Sequence, residues 1–170
     1  MQVAGRCIGA TDVIVDRRKS KRLAHQVRSW ARRHRAARVV ITSPLRRSAD
    51  VGRTLAAWGW VHRVDPRLAE LNFGAWDGRS WGEIGRAEVD AWVVDFATHR
   101  PGGGESVAEL IDRCASFVVD TNSACVVTHA GWISAATWLE QSGAPPPVAD
   151  RWPAAVGYGQ RVTLDVSRRS

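Results

Sequence analysis

The chain has few cysteines and no two of them close together. Cys7, Cys114 and Cys125 are its three, an odd number without the paired spacing of a disulfide framework or a zinc cluster, and they read as reduced, buried thiols. No run of about 18 apolar residues occurs, so no transmembrane helix or membrane partner is expected. The N-terminus lacks the basic-then-apolar layout of a secretory signal, which points to the cytoplasm. Internal repeats and low-complexity tracts are absent. The opening stretch MQVAGRCIGATDV, residues 1–13, also lacks the apolar run from which a first strand is built. Gly5, Gly9, Thr11 and Asp12 make it loop-like instead. Finally, residues 17–38 hold no acidic residue at all, against ten basic ones.

What is present fits one domain over 1–170: 45% of residues are hydrophobic and 24% charged, enough to bury a single core but not two. The formal charge of +7 raises the question of a polyanion partner. Within 17–38, however, Leu23, Val27, Trp30 and Ala31 recur at helical spacing behind Asp16, a residue suited to cap a helix start. The basic residues are then the wet face of an amphipathic helix, and nucleic acid is not expected as a partner. A polyanion-binding face is the alternative reading. Oligomeric state is not legible in these residues.

Apolar runs and helical periodicities alternate along the chain. Residues 37–43 read as a buried strand, with a helix following Pro44, and 62–68 as a short strand interrupted by Pro66. Residues 80–99 read as a helix opened by a Ser80/Glu83 capping box, and 105–120 as a second helix with Val107, Leu110, Ile111 and Cys114 on one face. Residues 124–130 form a second buried strand, followed by a helix closed by Gly143, a loop over 142–150 and an alternating last strand at 160–166. This order predicts an α/β fold, a three-layer α/β/α sandwich around a mostly parallel sheet.

Two of the strands end in polar residues just before a helix, where open α/β sheets collect ligands. They deliver Ser43, Arg46 and Arg47 from TSPLRR, and His129 from VTHAG. Guanidinium forks, an imidazole and a helix terminus together match a phosphate monoester dianion. Glu70, set among apolar and glycine residues in RLAELNFGAWDG, can hold a proton as a general acid does. In PGGGES, three glycines precede Glu105 and either wrap an anion or form a flexible cap. Taken singly, each piece has a plainer reading: surface arginines, a strand-end histidine, a solvent-facing glutamate. Phe73, Trp76, Trp81 and Trp92 are candidates to cover a substrate, but core or lid packing is the favoured reading for them.

In this order the segments GRCIGATDV, TSPLRRSAD, LAELNFGAWDG, PGGGES and VTHAGWISA resemble the histidine phosphatase superfamily, the phosphoglycerate mutase-like fold. They look most like its α-ribazole phosphatase branch. The resemblance implies a metal-independent, cofactor-free phosphatase acting on a small phosphorylated metabolite through a phosphohistidine intermediate. It assigns phosphate binding to Arg47, Ser43 and His129, with His129 stabilising transition-state charge. Glu70 is implied as the acid, and Glu105, Trp76 and Phe73 are candidates for the substrate pocket. The family's nucleophilic histidine stands in an Arg-His motif at the end of a first, central strand, and 1–170 contains no counterpart of that strand. The expectation is therefore an N-terminally truncated chain, lacking the strand between those of residues 37–43 and 124–130. As written, such a chain is inactive. The alternative is a pseudoenzyme or anion-binding module that holds a phosphorylated ligand or polyanion without catalysis.

Overall fold

The computed structural model describes residues 4–117, 124–142 and 146–164. Helix α1, Arg17–His34, starts at Asp16, whose carboxylate accepts from the Arg18 amide, and ends at Arg35 in the left-handed conformation. Strand β1, Val39–Thr42, is followed by α2, Arg46–Ala56, and strand β2, Val61–Val64. Asp65 then caps a 3₁₀ turn that starts at Pro66, so the strand expected over 62–68 stops where proline removes the next ladder donor.

The helix expected over 80–99 is divided. The Ser80/Glu83 capping box closes a single 3₁₀ turn, Trp81–Glu83, and Ile84 turns inward. A new helix, α3, Arg86–Val94, begins after Gly85, whose amide donates to the Glu88 carboxylate. Two start signals so close together give two short elements rather than one long one. Helix α4, Val107–Ala115, is opened by Ser106 and Glu109 in a further capping box, and it ends earlier than the sequence pattern suggests. Strand β3, Cys125–Val127, and helix α5, Ala130–Ser142, complete the sandwich. Gly143, expected to end α5, lies outside the described residues. Residues 160–164, expected to begin a last strand, pair with no strand among the described residues and are mostly exposed; 165 and 166 lie outside them.

The sheet is parallel, in the order β2-β1-β3. Here the structure corrects the expectation of a gap: β1 and β3 pair directly, Val40 opposite Cys125, Ile41 opposite Val126 and Thr42 opposite Val127. Unpaired edges on both strands would leave buried backbone groups unmet at about 1–3 kcal/mol each. Direct pairing satisfies those groups.

Alternation along β1 sets the layers. Val40 faces α1 and α2, packing with Ala24, Ala31, Val51 and Leu55, while Ile41 faces α4 and α5, packing with Leu110, Cys114, Trp132 and Ala135. The fold is thus the expected α/β sandwich, with a third small cluster of Cys7, Trp76 and Ile84 at its rim. The opening loop is fastened there: Cys7 and Gly5 exchange backbone hydrogen bonds with Gly78, Arg79 and Trp81.

Leu55, fully buried between α1, α2 and the sheet, should lose about 2–5 kcal/mol of stability as Leu55→Ala, read by chemical denaturation. Val94→Ala, at an 88% exposed position, should stay within about 0.5 kcal/mol of the parent.

Candidate functional site

At the C-terminal edge of the sheet, β1 runs into Ser43 and β3 into His129. Ser43 is buried; its amide donates to the Val127 carbonyl at 3.3 Å and its hydroxyl accepts from the Leu45 amide at 3.1 Å, turning the chain into α2. The first turn of α2 then sends its two arginines different ways. Arg46 is exposed, with its amide bound by Asp12 at 2.7 Å, and Arg47 points back over the strand ends. The Arg47 Nε–H donates to His129 Nδ1 at 3.1 Å, while Nη1 and Nη2 donate to the carbonyls of Thr11 and Gly9 at 2.9 and 2.6 Å.

Those two carbonyls are available because one carboxylate folds their loop. Asp77 accepts from the amides of Gly9, Ala10 and Thr11 at 2.8–3.0 Å, from the Thr11 hydroxyl at 2.6 Å and from the Phe73 amide at 3.3 Å. Burial pushes the Asp77 carboxyl up, but these hydrogen bonds outweigh it and hold the group below the usual carboxylate range. Nothing in the local sequence pattern marks Asp77 for this role. Its only signal was its place in the WDG run of a resembling segment.

His129 is 7% exposed, and its Nε2 has no hydrogen-bond partner among the described residues. Burial, then the charges of Arg47 and Arg113, bring its pKa down to about 3. The ring is therefore neutral, and because Nδ1 accepts from Arg47, the proton sits on Nε2. An unpartnered, buried N–H donor is what an incoming anion needs.

Glu70 arrives from a segment that has no strand partner. Its carbonyls are taken up by side chains instead. Arg67 O accepts from the Trp132 indole and Arg113, Leu68 O from Thr128 and Ala69 O from Arg113, each at 2.8 Å. The Glu70 carboxylate accepts from the Leu71 amide at 3.0 Å and from the Gly131 amide, in the first turn of α5, at 3.2 Å. A Cβ at Gly131 would collide with Glu70 Oε1, so a larger residue there would have to displace the carboxylate. Burial raises the Glu70 pKa, opposed by the two amides, by Arg47 and by Trp132.

The remaining candidates have other neighbours. Glu105 is committed to Arg113 at 2.8 and 2.9 Å and accepts from the Asn72 amide, so it fixes the arginine that supports the Glu70 segment. Arg113 carries no such signal in the sequence, where it is one polar residue on an amphipathic helix. Gly102 and Gly104 of PGGGES lie against the backbone of residues 72–76, where a Cβ on either would collide, so they serve close approach. Trp76 is buried, its indole donating to Glu88 at 3.1 Å, and Phe73 stands edge-on to Trp81 and Trp92. A cleft of about 640 Å³ opens beside them, lined by Trp76, Arg79, Glu88, His99 and Arg100; Arg47, Glu70 and His129 do not line it. Among the described residues no three His, Cys, Asp or Glu side chains are grouped to hold a metal ion, and no helix is long and apolar enough to cross a membrane.

Comparison with known proteins matches the chain to a family. The model of the histidine phosphatase superfamily (branch 1) aligns with residues 1–165. Glucosyl-3-phosphoglycerate phosphatase of Mycobacterium tuberculosis is 32% identical over 139 residues, covering 71% of this chain and 60% of that one. The chain thus spans less than two thirds of the length of this relative. The native structure of a mycobacterial glucosyl-3-phosphoglycerate phosphatase superposes with a TM-score of 0.67 at 25% identity, over 84% of this chain and 75% of that one. The α-ribazole phosphatase from Shigella flexneri shares the fold, with a TM-score of 0.65 at 20% identity over 78% of this chain and 69% of that one.

The raised pKa of Glu70 carries a sign for stability. The folded state holds this proton to higher pH than the unfolded chain does. The stability it contributes is complete below the unfolded value and is lost as pH rises through the folded one. Glu70→Gln keeps an acceptor but not the titration. Relative to this variant, the parent's melting temperature should fall as pH rises from about 4.5. A difference that stays flat across pH 4–8 would contradict the burial described.

Proposed function

The chain belongs to the histidine phosphatase superfamily, branch 1, and from that premise we propose that it provides the phosphate clamp and general acid of a metal-independent phosphomonoesterase. The observation that carries this reading is the Arg47–His129 hydrogen bond, which leaves the His129 Nε2–H unpartnered beside a cation. A bound phosphoryl group takes donors from Arg47 and from His129 Nε2, and both strengthen as charge grows on its oxygens. Glu70, biased toward its protonated form, gives its proton to the leaving alkoxide. In the reaction that the family resemblance implies, a histidine nitrogen forms the bond to phosphorus as the ester P–O bond breaks. Water then displaces that histidine, returns a proton to Glu70 and releases inorganic phosphate. Ser43, which turns the chain into α2, keeps Arg47 aimed at that group.

One observation supports a second reading. Apart from His129, no histidine among the described residues stands at the site. His25 and His34 lie on α1 against Trp58 and Trp30, His62 lies 2.8 Å from Thr42 on the sheet, and His99 borders the separate cleft. A domain with the clamp and no phosphoryl acceptor is an anion-binding module for a phosphorylated ligand. The single-domain reading over 1–170 accommodates either.

The finer substrate reading is a small phosphorylated metabolite. The resemblance suggests α-ribazole phosphate, and the name of the mycobacterial relative suggests glucosyl-3-phosphoglycerate. Both belong in the first assay, next to p-nitrophenyl phosphate. Orthovanadate should raise the melting temperature of the 170-residue chain, and Arg47→Gln should abolish the shift. Turnover that persists in EDTA and falls about 10²–10⁴-fold in Glu70→Gln identifies the enzyme. Stabilisation without turnover identifies the module, and the absence of both overturns the proposal.

A further inference from the structure

A second basic pocket lies at the opposite end of the sheet. It has a volume of about 270 Å³ and is lined by Arg28, Arg32, Arg35, Arg38, Trp58 and Trp60. Arg38 immediately precedes β1 and Trp60 immediately precedes β2, whereas the phosphate clamp follows the C-terminal ends of β1 and β3. Among the described residues no Asp or Glu lines this pocket, and none of the four arginines pairs with a carboxylate.

The arrangement is held at a cost. Four arginines line one concavity, three of them exposed, and no counter-charge stands among the described lining residues. Arg35 is the only non-glycine residue with positive φ among those described, at 52°, a helix-end position where glycine is relaxed and a side chain is strained. Arg28 is fixed over the Trp58 ring at 4.5 Å, and its Nη2 lies 3.2 Å from His25 Nδ1. The remaining lining arginines are Arg32, Arg35 and Arg38.

We propose that this pocket binds an oligophosphate, a chain of two or three linked phosphate groups, either free or as the tail of a nucleotide. A single phosphate dianion engages one or two guanidinium forks, whereas four forks match the several charges of a linked chain. The volume falls just short of the roughly 300 Å³ at which sites for whole small organic molecules begin, and it suits the phosphate chain alone. Trp58 already carries Arg28 at 4.5 Å and His25 at 4.5 Å, which leaves its ring committed rather than free to stack a base.

Calorimetric titration of the 170-residue chain with tripolyphosphate, ATP and a single-stranded oligodeoxynucleotide tests the assignment. In Arg47→Gln, where the phosphate clamp is disabled, tripolyphosphate should still bind saturably, at one site and more weakly as salt rises. Arg35→Gly, which relieves the strained backbone, should fold at least as stably as the parent and, combined with Arg32→Gln, weaken binding tenfold or more. ATP binding like tripolyphosphate places recognition in the phosphate tail, and tighter binding of ATP assigns the physiological source to a nucleotide. Binding lost in Arg47→Gln and kept in the Arg32/Arg35 variant would place the ligand in the phosphate clamp and overturn the proposal. So would saturable binding of the oligonucleotide alone, or no saturable binding at low salt.

Discussion

The guanidinium of Arg47 is the constraint on which the site depends. A half-buried cation needs most of its donors satisfied, and this one meets the demand with groups from two other parts of the chain: the carbonyls of Gly9 and Thr11, and the imidazole of His129. Burial works against its charge, while the carboxylates of Glu70, Asp77 and Asp12 work in its favour. The loop that supplies the carbonyls is in turn shaped by Asp77, whose two oxygens hold its amides. Positioning therefore runs from Asp77 through the loop to Arg47, and from Arg47 to the tautomer of His129.

A parallel line of support fixes Glu70. Its segment lacks a strand partner, and its carbonyls are met by Arg113, Thr128 and Trp132, with Glu105 steering Arg113. The result is three groups in distinct protonation states within one small volume: an arginine kept cationic, a histidine kept neutral and a glutamic acid pushed toward its protonated form. Burial is the largest influence on all three. It disfavours whichever form is charged, and the neighbours decide how far that goes.

Much of this was legible in the sequence because strand ends and helix starts announce themselves locally. Val39 to Thr42 before Pro44, and Cys125 to Val127 before Gly131, placed Arg47 and His129 at one edge of the sheet, and the Asp16 and Ser80 caps stood out in the local pattern, whereas the Ser106 cap did not. The residues that escaped notice act across long separations. Asp77 binds amides 66–68 positions away, and Arg113 binds carbonyls 43–46 positions away, so no local pattern reveals either. The pairing of β1 with β3 escaped for a related reason: strand neighbours are chosen by which backbone edges can satisfy each other, not by periodicity. The glycines of PGGGES illustrate the converse. Their run was conspicuous, and the reason for it, contact with the backbone of residues 72–76, lay in another segment.

The shared acceptor in the opening loop also has a kinetic meaning. The amides of Gly9, Ala10 and Thr11 end on the two oxygens of one carboxylate, so none can open far without disturbing the others. Their protons should exchange with solvent as a block, at a common rate set by one opening event. That event also withdraws the Gly9 and Thr11 carbonyls from Arg47. Solvent access to three peptide groups in the loop thus keeps time with the release of the guanidinium from its protein anchors.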